Sequence, residues 1–368
     1  MRNKILKNID WSVVICVLIL IAIGCIELFS VTGSSNYSEL LKQLIWFAIS
    51  IPVVCIIVSI DYSTIVNASK ILYGIMIVLL IGVMFTKPIN GATSWYNIGT
   101  VSFQPSEFAK ICVILSLSNA IVGIQKNNKR DINRPLNLLK AIIVFAIPVV
   151  LIVIQPDFGT AIAFCLASAI ILVISGLDKK YIITAILSVV IILPLLYFFI
   201  LPPHAKTRID VFLNPNLDPR GSGYNVLQSK LAIGSGKFWG MGIKKGGQTQ
   251  LGYLYPQTTD FIYSAIGEEM GFFIAGMVII LYIFLITKAI KIAKTSKDDL
   301  GAYIASGIAG IFIFHMVENI GMTMGLLPIT GVPLPFVSYG GSSLLTNCIL
   351  IGLLLNISGR RNKIMFGE

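Results

Sequence analysis

Charge is what this chain has least of. Asp, Glu, Lys and Arg make up 12% of its 368 residues, about half the roughly 25% of an ordinary soluble domain. A water-soluble enzyme of this length is thereby excluded. Histidine is scarcer still: His204 and His315 are the only two, too few for a His-rich metal site or a Ser-His-Asp triad. The six cysteines (Cys16, Cys25, Cys55, Cys112, Cys165 and Cys348) fall inside apolar runs without metal-ligand spacing and read as buried free thiols. There is no Walker A sequence, which removes nucleotide-driven pumping. Internal repeats, low-complexity tracts and a soluble domain are missing too.

What fills the chain is apolar: 56% of residues are hydrophobic and the mean hydropathy is +0.86. About 17–25 largely apolar residues cross a bilayer as a helix. On that measure ten spans are expected, near 11–30, 41–60, 70–86, 105–124, 139–155, 157–175, 181–201, 261–287, 301–321 and 339–357. Gln155-Pro156-Asp157 allows only a sharp hairpin between the fifth and sixth. Placing both termini inside puts most of the 28 Lys and Arg, from Arg2, Lys4 and Lys7 to Arg360, Arg361 and Lys363, in inner segments, as the positive-inside rule requires. The net charge of +11 is then mostly topology and makes no case for nucleic-acid binding. The basic start, apolar run and Cys25 also suit a lipoprotein signal. The apolar stretch continues through Phe29, however, so a first span is the better reading.

Polar and Gly-rich sequence gathers on the outer side, at 90–110, 155–161, 325–343 and the long segment 202–260. Inner loops are plain Lys/Arg connectors. Chemistry is therefore expected at the outer surface. Asp260, before the eighth span, fits an N-cap as well as it fits catalysis. Glu268 and Glu269 lie about 12–14 Å further along a continuous helix. There they must face the bundle interior, pair or stay protonated, and neutralisation by a buried Lys, Arg or Asn is favoured over catalysis. Glu107 and Lys110, three apart after Pro105, form either a helix-supporting ion pair or part of an outward polar pocket. Asp157 either caps the sixth span or joins that pocket. Arg208, Arg220, Lys230, Lys237, Lys244 and Lys245 stand among many glycines in the long segment, a weak signal for phosphate oxygens. Tyr224, Leu227 and Leu231 suggest an amphipathic turn on the membrane.

Six motifs recur in one order: NGATSWYNIG, FQPSEFAK, QPDFGTA, RIDVFLNP, GGQTQLGYLYPQTTDFIYSAIGEEMGF and GVPLPFVSYGGSS. In these the chain resembles the SEDS (shape, elongation, division, sporulation) family from the first span to the last. The QTQ tract and the NIDW start look like the RodA branch rather than FtsW, with sporulation paralogues close by. The resemblance implies an all-α multi-pass membrane protein of the bacterial cytoplasmic membrane, one polytopic domain with an extracytoplasmic loop at 202–260. It implies a peptidoglycan glycosyltransferase that polymerises lipid II for elongation and shape, with Asp260 as catalytic residue. It also implies a class B penicillin-binding protein as partner, beside other elongation-machinery membrane proteins. Glu107, Lys110, Gln155 and Asp157 match the family's pocket motifs. Arg208, Lys237, Gln250, Ser338, Tyr339 and Ser342 complete the expected substrate contacts, leaving Glu268 and Glu269 as structural. One departure is clear: Leu254-Tyr255-Pro256-Gln257-Thr258 replaces the family's LPExHT, so no role is carried over for that acid and His.

Glycosyl transfer from a polyprenyl diphosphate needs a base for the acceptor hydroxyl and positive charge for the leaving diphosphate. Asp260 suits the first; Arg208 and the loop lysines suit the second, with a divalent cation (Mg or Mn) as the only cofactor candidate. Two other classes share some features. A lipid II flippase or other lipid-linked-sugar carrier would also bury polar groups, but polar residues here cluster on one face without an inverted repeat. A non-catalytic scaffold leaves the polar pocket unexplained. Small residues on the eighth and ninth spans, Ala305 and Ala309 among them, either dock a single-span partner or let the two spans pack together.

Overall fold

The computed structural model describes all residues except 1–7, 33–36, 88–92, 100, 201–202, 220 and 362–368. The start of the first motif, Arg220, Arg2, Lys4, Lys7 and Lys363 therefore lie outside the described residues. Helices dominate: α1 (Trp11–Val31), α2 (Ser38–Ser59), α3 (Ser69–Val83), α4 (Pro105–Ile124), α5 (Pro135–Ile154), α6 (Phe158–Ile174), α7 (Lys179–Leu195), α8 (Pro203–Leu213), α9 (Ser222–Ser235), α10 (Ile262–Glu269), α11 (Gly271–Lys294), α12 (Asp299–Thr323) and α13 (Gly341–Arg360). Among the described residues, eight helices are long and apolar enough to cross a membrane. The shorter apolar α3 and α6 bring the bundle to the ten expected. Pro105 and Pro135 open α4 and α5, where the missing N–H costs nothing. The only strands among the described residues, β1 (Tyr96–Ile98) and β2 (Val101–Phe103), pair antiparallel with Tyr96 opposite Phe103 and lead directly into α4.

Burial sorts the helices. α12 is buried along most of its length, and α13 likewise. α7 has Ile183, Ile186, Leu187, Val190 and Ile191 exposed, as a helix facing lipid requires. The small residues of α12 turn inward: Ala305 and Ala309 are buried. A Cβ on Gly307 would meet Ile171 and Ile114, and one on Gly310 would meet Ala167. They let α12 approach α4 and α6, so of the two alternatives left open for Ala305 and Ala309 the structure favours packing within the bundle over docking a partner, with α4 and α6 among the helices they pack against.

The eighth span is corrected. It does not start near 261 but at Gly271, after α10 has ended at Glu269 and Met270. The cause is a crossing strand of backbone. Met241 and Gly242 donate their N–H to the carbonyls of Glu268 and Glu269 (both 2.9 Å), while Phe272 and Phe273 donate to the carbonyls of Lys237 and Phe238 (2.9 and 3.1 Å). Those groups are no longer available for i→i−4 bonding. Gly271 takes φ +79°, and a Cβ there would collide with the backbone at Trp239 and Gly240. Glu268 and Glu269 consequently end a short helix rather than sitting within a span.

Candidate active site

Asp260 ends the turn before α10. It does not cap the helix: Phe261 occupies the cap position and no side chain caps there. The TTD segment is instead clamped to the loop that precedes α13. Tyr339 donates its N–H to the Thr258 carbonyl at 2.9 Å. The Ser338 hydroxyl donates to the Thr259 carbonyl at 2.7 Å and accepts from the Leu334 N–H at 2.8 Å. The Asn319 side chain donates to the carbonyls of both Asp260 (3.1 Å) and Val332 (2.8 Å). A Cβ on Gly331 would lie 3.4 Å from Asp260 Oδ2, so the loop passes directly under the carboxylate. Burial raises the Asp260 pKa from the ordinary 3.8 to about 6, against the opposing effects of a Thr259 hydrogen bond and the Arg208 charge.

The same loop reaches the other acid–base groups. Thr330 donates to Glu318 Oε1 at 2.7 Å. His315 Nδ1 faces the Pro333 carbonyl at 3.0 Å, which makes Nδ1 the protonated nitrogen and leaves Nε2 to accept from Lys110 at 3.2 Å. Lys110 also pairs with Glu107 at 2.9 Å, and both are buried. The ion pair and the pocket expected as alternatives are thus one arrangement, although it is enclosed rather than open. Asp157 accepts from the Thr160 N–H (3.2 Å) and from Gln104 (3.2 Å), and the charges of Glu107 and Lys110 reach it. Gly159 packs on Thr330 and Val332, closing the ring of α4, α6, α12 and the loop.

Other expected contacts are placed differently. Gln155 is buried and donates to the Leu80 carbonyl at 2.8 Å, tying α5 to α3. Ser342 accepts from the Gln104 N–H at 3.4 Å and donates to the Ser102 carbonyl at 3.3 Å, joining β2 to α13. Tyr339 acts through its backbone. Lys237 is exposed in a left-handed turn at φ +52°, at the far end of α10 from Asp260. Gln250 donates to Glu269 at 2.8 Å, also at that far end.

Glu268 and Glu269 are buried and structural in their bonding, but the partners are not the Lys, Arg or Asn side chains expected. Glu268 accepts from the N–H groups of Gln248 (2.8 Å) and Thr249 (2.9 Å) and from the Thr249 hydroxyl (2.6 Å). Glu269 accepts from the N–H groups of Lys244 (3.1 Å) and Gly246 (3.3 Å) and from the Ser30 hydroxyl. Backbone amides of a Gly-rich loop do the work of counterions. Among the described residues no group of three or more His, Cys, Asp or Glu is arranged to hold a metal ion. The residues present do not form a cage for a divalent cation by themselves.

A bundle of apolar helices with acids, a lysine and a histidine gathered under one surface loop defines a polytopic membrane protein with a buried polar site. The family model described as Cell cycle protein, FTSW_RODA_SPOVE, matches residues 8–363, and the chain belongs to that family. The peptidoglycan glycosyltransferase MrdB of Escherichia coli (strain K12) is 33% identical over 360 residues, covering 97% of this chain and 95% of its own length. The peptidoglycan glycosyltransferase RodA of Treponema pallidum (strain Nichols) is 30% identical, covering 98% of this chain and 100% of its own. A chain from a solved peptidoglycan synthase complex that coordinates polymerization and crosslinking superposes with a TM-score of 0.81 at 26% identity, covering 95% of this chain and 97% of that one.

Proposed function

We infer that the chain is a peptidoglycan glycosyltransferase of the cell-shape type, and that it polymerises lipid II at the outer face of the cytoplasmic membrane. Both termini then lie inside. One observation carries the mechanism: a single carboxylate is held in place through the backbone of its turn, bonded to two other elements, its pKa is raised to about 6, and the Arg208 charge reaches it. A base with a pKa near the working pH is the kind that serves general-base catalysis best. Asp260 takes the proton of the acceptor sugar hydroxyl as its oxygen bonds to the donor's anomeric carbon. The bond from that carbon to the diphosphate oxygen breaks, and the electron pair leaves with the lipid diphosphate. Asp157, the partly exposed member of the group, binds sugar groups of the substrate, while the enclosed Glu107–Lys110–His315 cluster, whose charges reach Asp157, supports it from within rather than touching substrate. A class B penicillin-binding protein is the partner, since the relative of known structure works within a complex that joins polymerization to crosslinking.

The test is polymerisation of lipid II by the purified protein, with and without its transpeptidase, beside a lipid II translocation assay in vesicles. Glycan product that disappears in Asp260→Asn supports the reading. Translocation without polymer, under conditions where a related polymerase is active, would replace it with a carrier.

A further inference from the structure

Aromatic rings meet where the crossing backbone ties the Gly-rich loop to the start of α11. Phe238 stands edge-on to Trp239 with ring centres 4.8 Å apart, and it lies 6.0 Å from Phe272 and 6.3 Å from Phe273. Trp239 is 6.0 Å from Phe273. The cluster is nevertheless no core: all of these rings are exposed, Trp239 at 77% and Phe272 at 66%. Met241 and Ile243, close by in sequence, are exposed too. A contiguous apolar patch of this kind marks a surface that something covers.

What covers it follows from α11. Phe272 and Phe273 belong to the first turn of this helix, which is long and apolar enough to cross a membrane. Lys291 and Lys294 close its last turn, about 30 Å from Phe272 at 1.5 Å per residue. A bilayer's hydrocarbon core is about 30 Å thick, so the rings fall at the headgroup boundary opposite those lysines. Phe272, Phe273, Ile280, Ile283, Phe284 and Ile290 are exposed along α11, at spacings that keep them on one helix face. The face of the span turned toward hydrocarbon therefore runs directly into the cluster. Lys237 and Lys245 flank the rings, are exposed, and enter none of the ion pairs among the described residues. Lys244 is engaged otherwise, over the Phe29 ring at 4.0 Å and on the Tyr37 hydroxyl at 3.2 Å. Amphipathic rings edged by ammonium groups suit the headgroup region of a bilayer.

We propose that Phe238, Trp239, Phe272 and Phe273 form a wedge seated at the headgroup boundary, with Lys237 and Lys245 on the phosphates of anionic phospholipids. The backbone bonds of the crossing hold the wedge pre-formed, so seating it orders little. Met241 and Gly242 bond the carbonyls of Glu268 and Glu269, and the wedge thereby fixes one end of α10 at headgroup depth, one short helix from Asp260. Lys237, which the sequence offered as a substrate contact, has a lipid for its partner instead. None of this depends on the reaction catalysed.

The test reads Trp239 fluorescence in the full chain reconstituted in nanodiscs, alone and with its transpeptidase. Trp11, Trp46 and Trp95 emit as well, so the Trp239 signal is that of the parent minus that of Trp239→Phe. Phosphatidylcholine brominated near the headgroup should quench it more than lipid brominated near the chain end, and aqueous iodide should quench it little. Strong quenching by iodide with none by either brominated lipid overturns the wedge. Loss of lipid quenching when the transpeptidase joins also overturns it and assigns the patch to that partner. For the lysines, brominated phosphatidylglycerol diluted in phosphatidylcholine is compared with equally diluted brominated phosphatidylcholine. The anionic lipid should associate more tightly, by a ratio that falls about fivefold for each lysine neutralised in Lys237→Gln and Lys245→Gln. A ratio unmoved by both substitutions overturns the proposal. Should Trp239→Phe fail to fold, the lysine variants decide, since they keep Trp239 and are compared with the parent directly.

Discussion

Asp260→Asn separates the two readings of this residue. The amide is nearly isosteric and cannot accept the proton, so polymerisation should fall by about 10²-fold or more. Thermal unfolding in detergent should stay put or rise slightly, because the cost of burying a charge is removed. The raised pKa adds a direction. A group that must be deprotonated to act, with a pKa of about 6, gives a rate that is flat above that pH and falls about tenfold per unit below it. A pH–rate profile without that limb would put the base elsewhere. Asp260 stood out in the sequence by its place at a water boundary, Glu107 and Asp157 by following a proline at the start of an apolar run, and Lys110 by lying inside one; the fold brings Glu107, Lys110 and Asp157 together. His315, Glu318 and Asn319 were passed over, although they stand at i, i+3 and i+4 in an apolar run, which puts them on one helix face. The reasoning that singled out Lys110 applies to them unchanged. Histidine was weighed only as a metal ligand or triad member, which hid its simpler use as a neutral acceptor for a buried ammonium.

At the scale of elements, α10 and the Gly-rich loop 241–250 are one unit. Ala in place of Glu268 or Glu269 strands several backbone N–H groups, at about 1–3 kcal/mol for each one left buried and unpaired. Both variants should unfold at lower temperature in detergent, and Glu268→Gln, which still accepts, should recover part of the loss. Full stability with abolished activity would move the acids into the reaction. Hydropathy found nine of the ten spans within a few residues because each is an apolar run ended by polar sequence. It missed the start of the eighth because no local signal separates 262–269 from 271–294. The break is made by backbone bonds from residues about thirty positions earlier. Only the glycines of GSGKFWGMG hinted that another backbone comes that close.

For the molecule as a whole, the packing of α12 sets where substitutions are felt. Ala309→Leu inserts three carbons where α12 meets its neighbours, and overpacking of this kind costs about 1–3 kcal/mol. The isolated protein should lose thermal stability before any complex is formed. A stable Ala309→Leu monomer that fails to bind its transpeptidase would restore that face as a docking surface. Topology was legible from hydropathy and charge asymmetry. The convergence of α4, α6, α12 and the 330–340 loop on one point was not, since the residues that meet there are separated by up to some two hundred positions.

The interruption between α10 and α11 bears on how the enzyme meets membranes of different thickness. If one continuous helix ran from Asp260 to Lys294, any tilt of that span would carry the carboxylate with it. Here the height of Asp260 is set by a helix of eight residues, about 12 Å long, fastened at one end to the loop before α13 and at the other to the Gly-rich loop. Spans adjust to hydrocarbon thickness by tilting, and α11 can do so from Gly271 while Asp260 keeps its neighbours. Reconstitution in bilayers of graded acyl length should therefore change the polymerisation rate by less than about threefold across the range in which the protein stays folded, as judged by initial rates on lipid II. A steep optimum at one thickness would mean that the break transmits tilt to the active site after all.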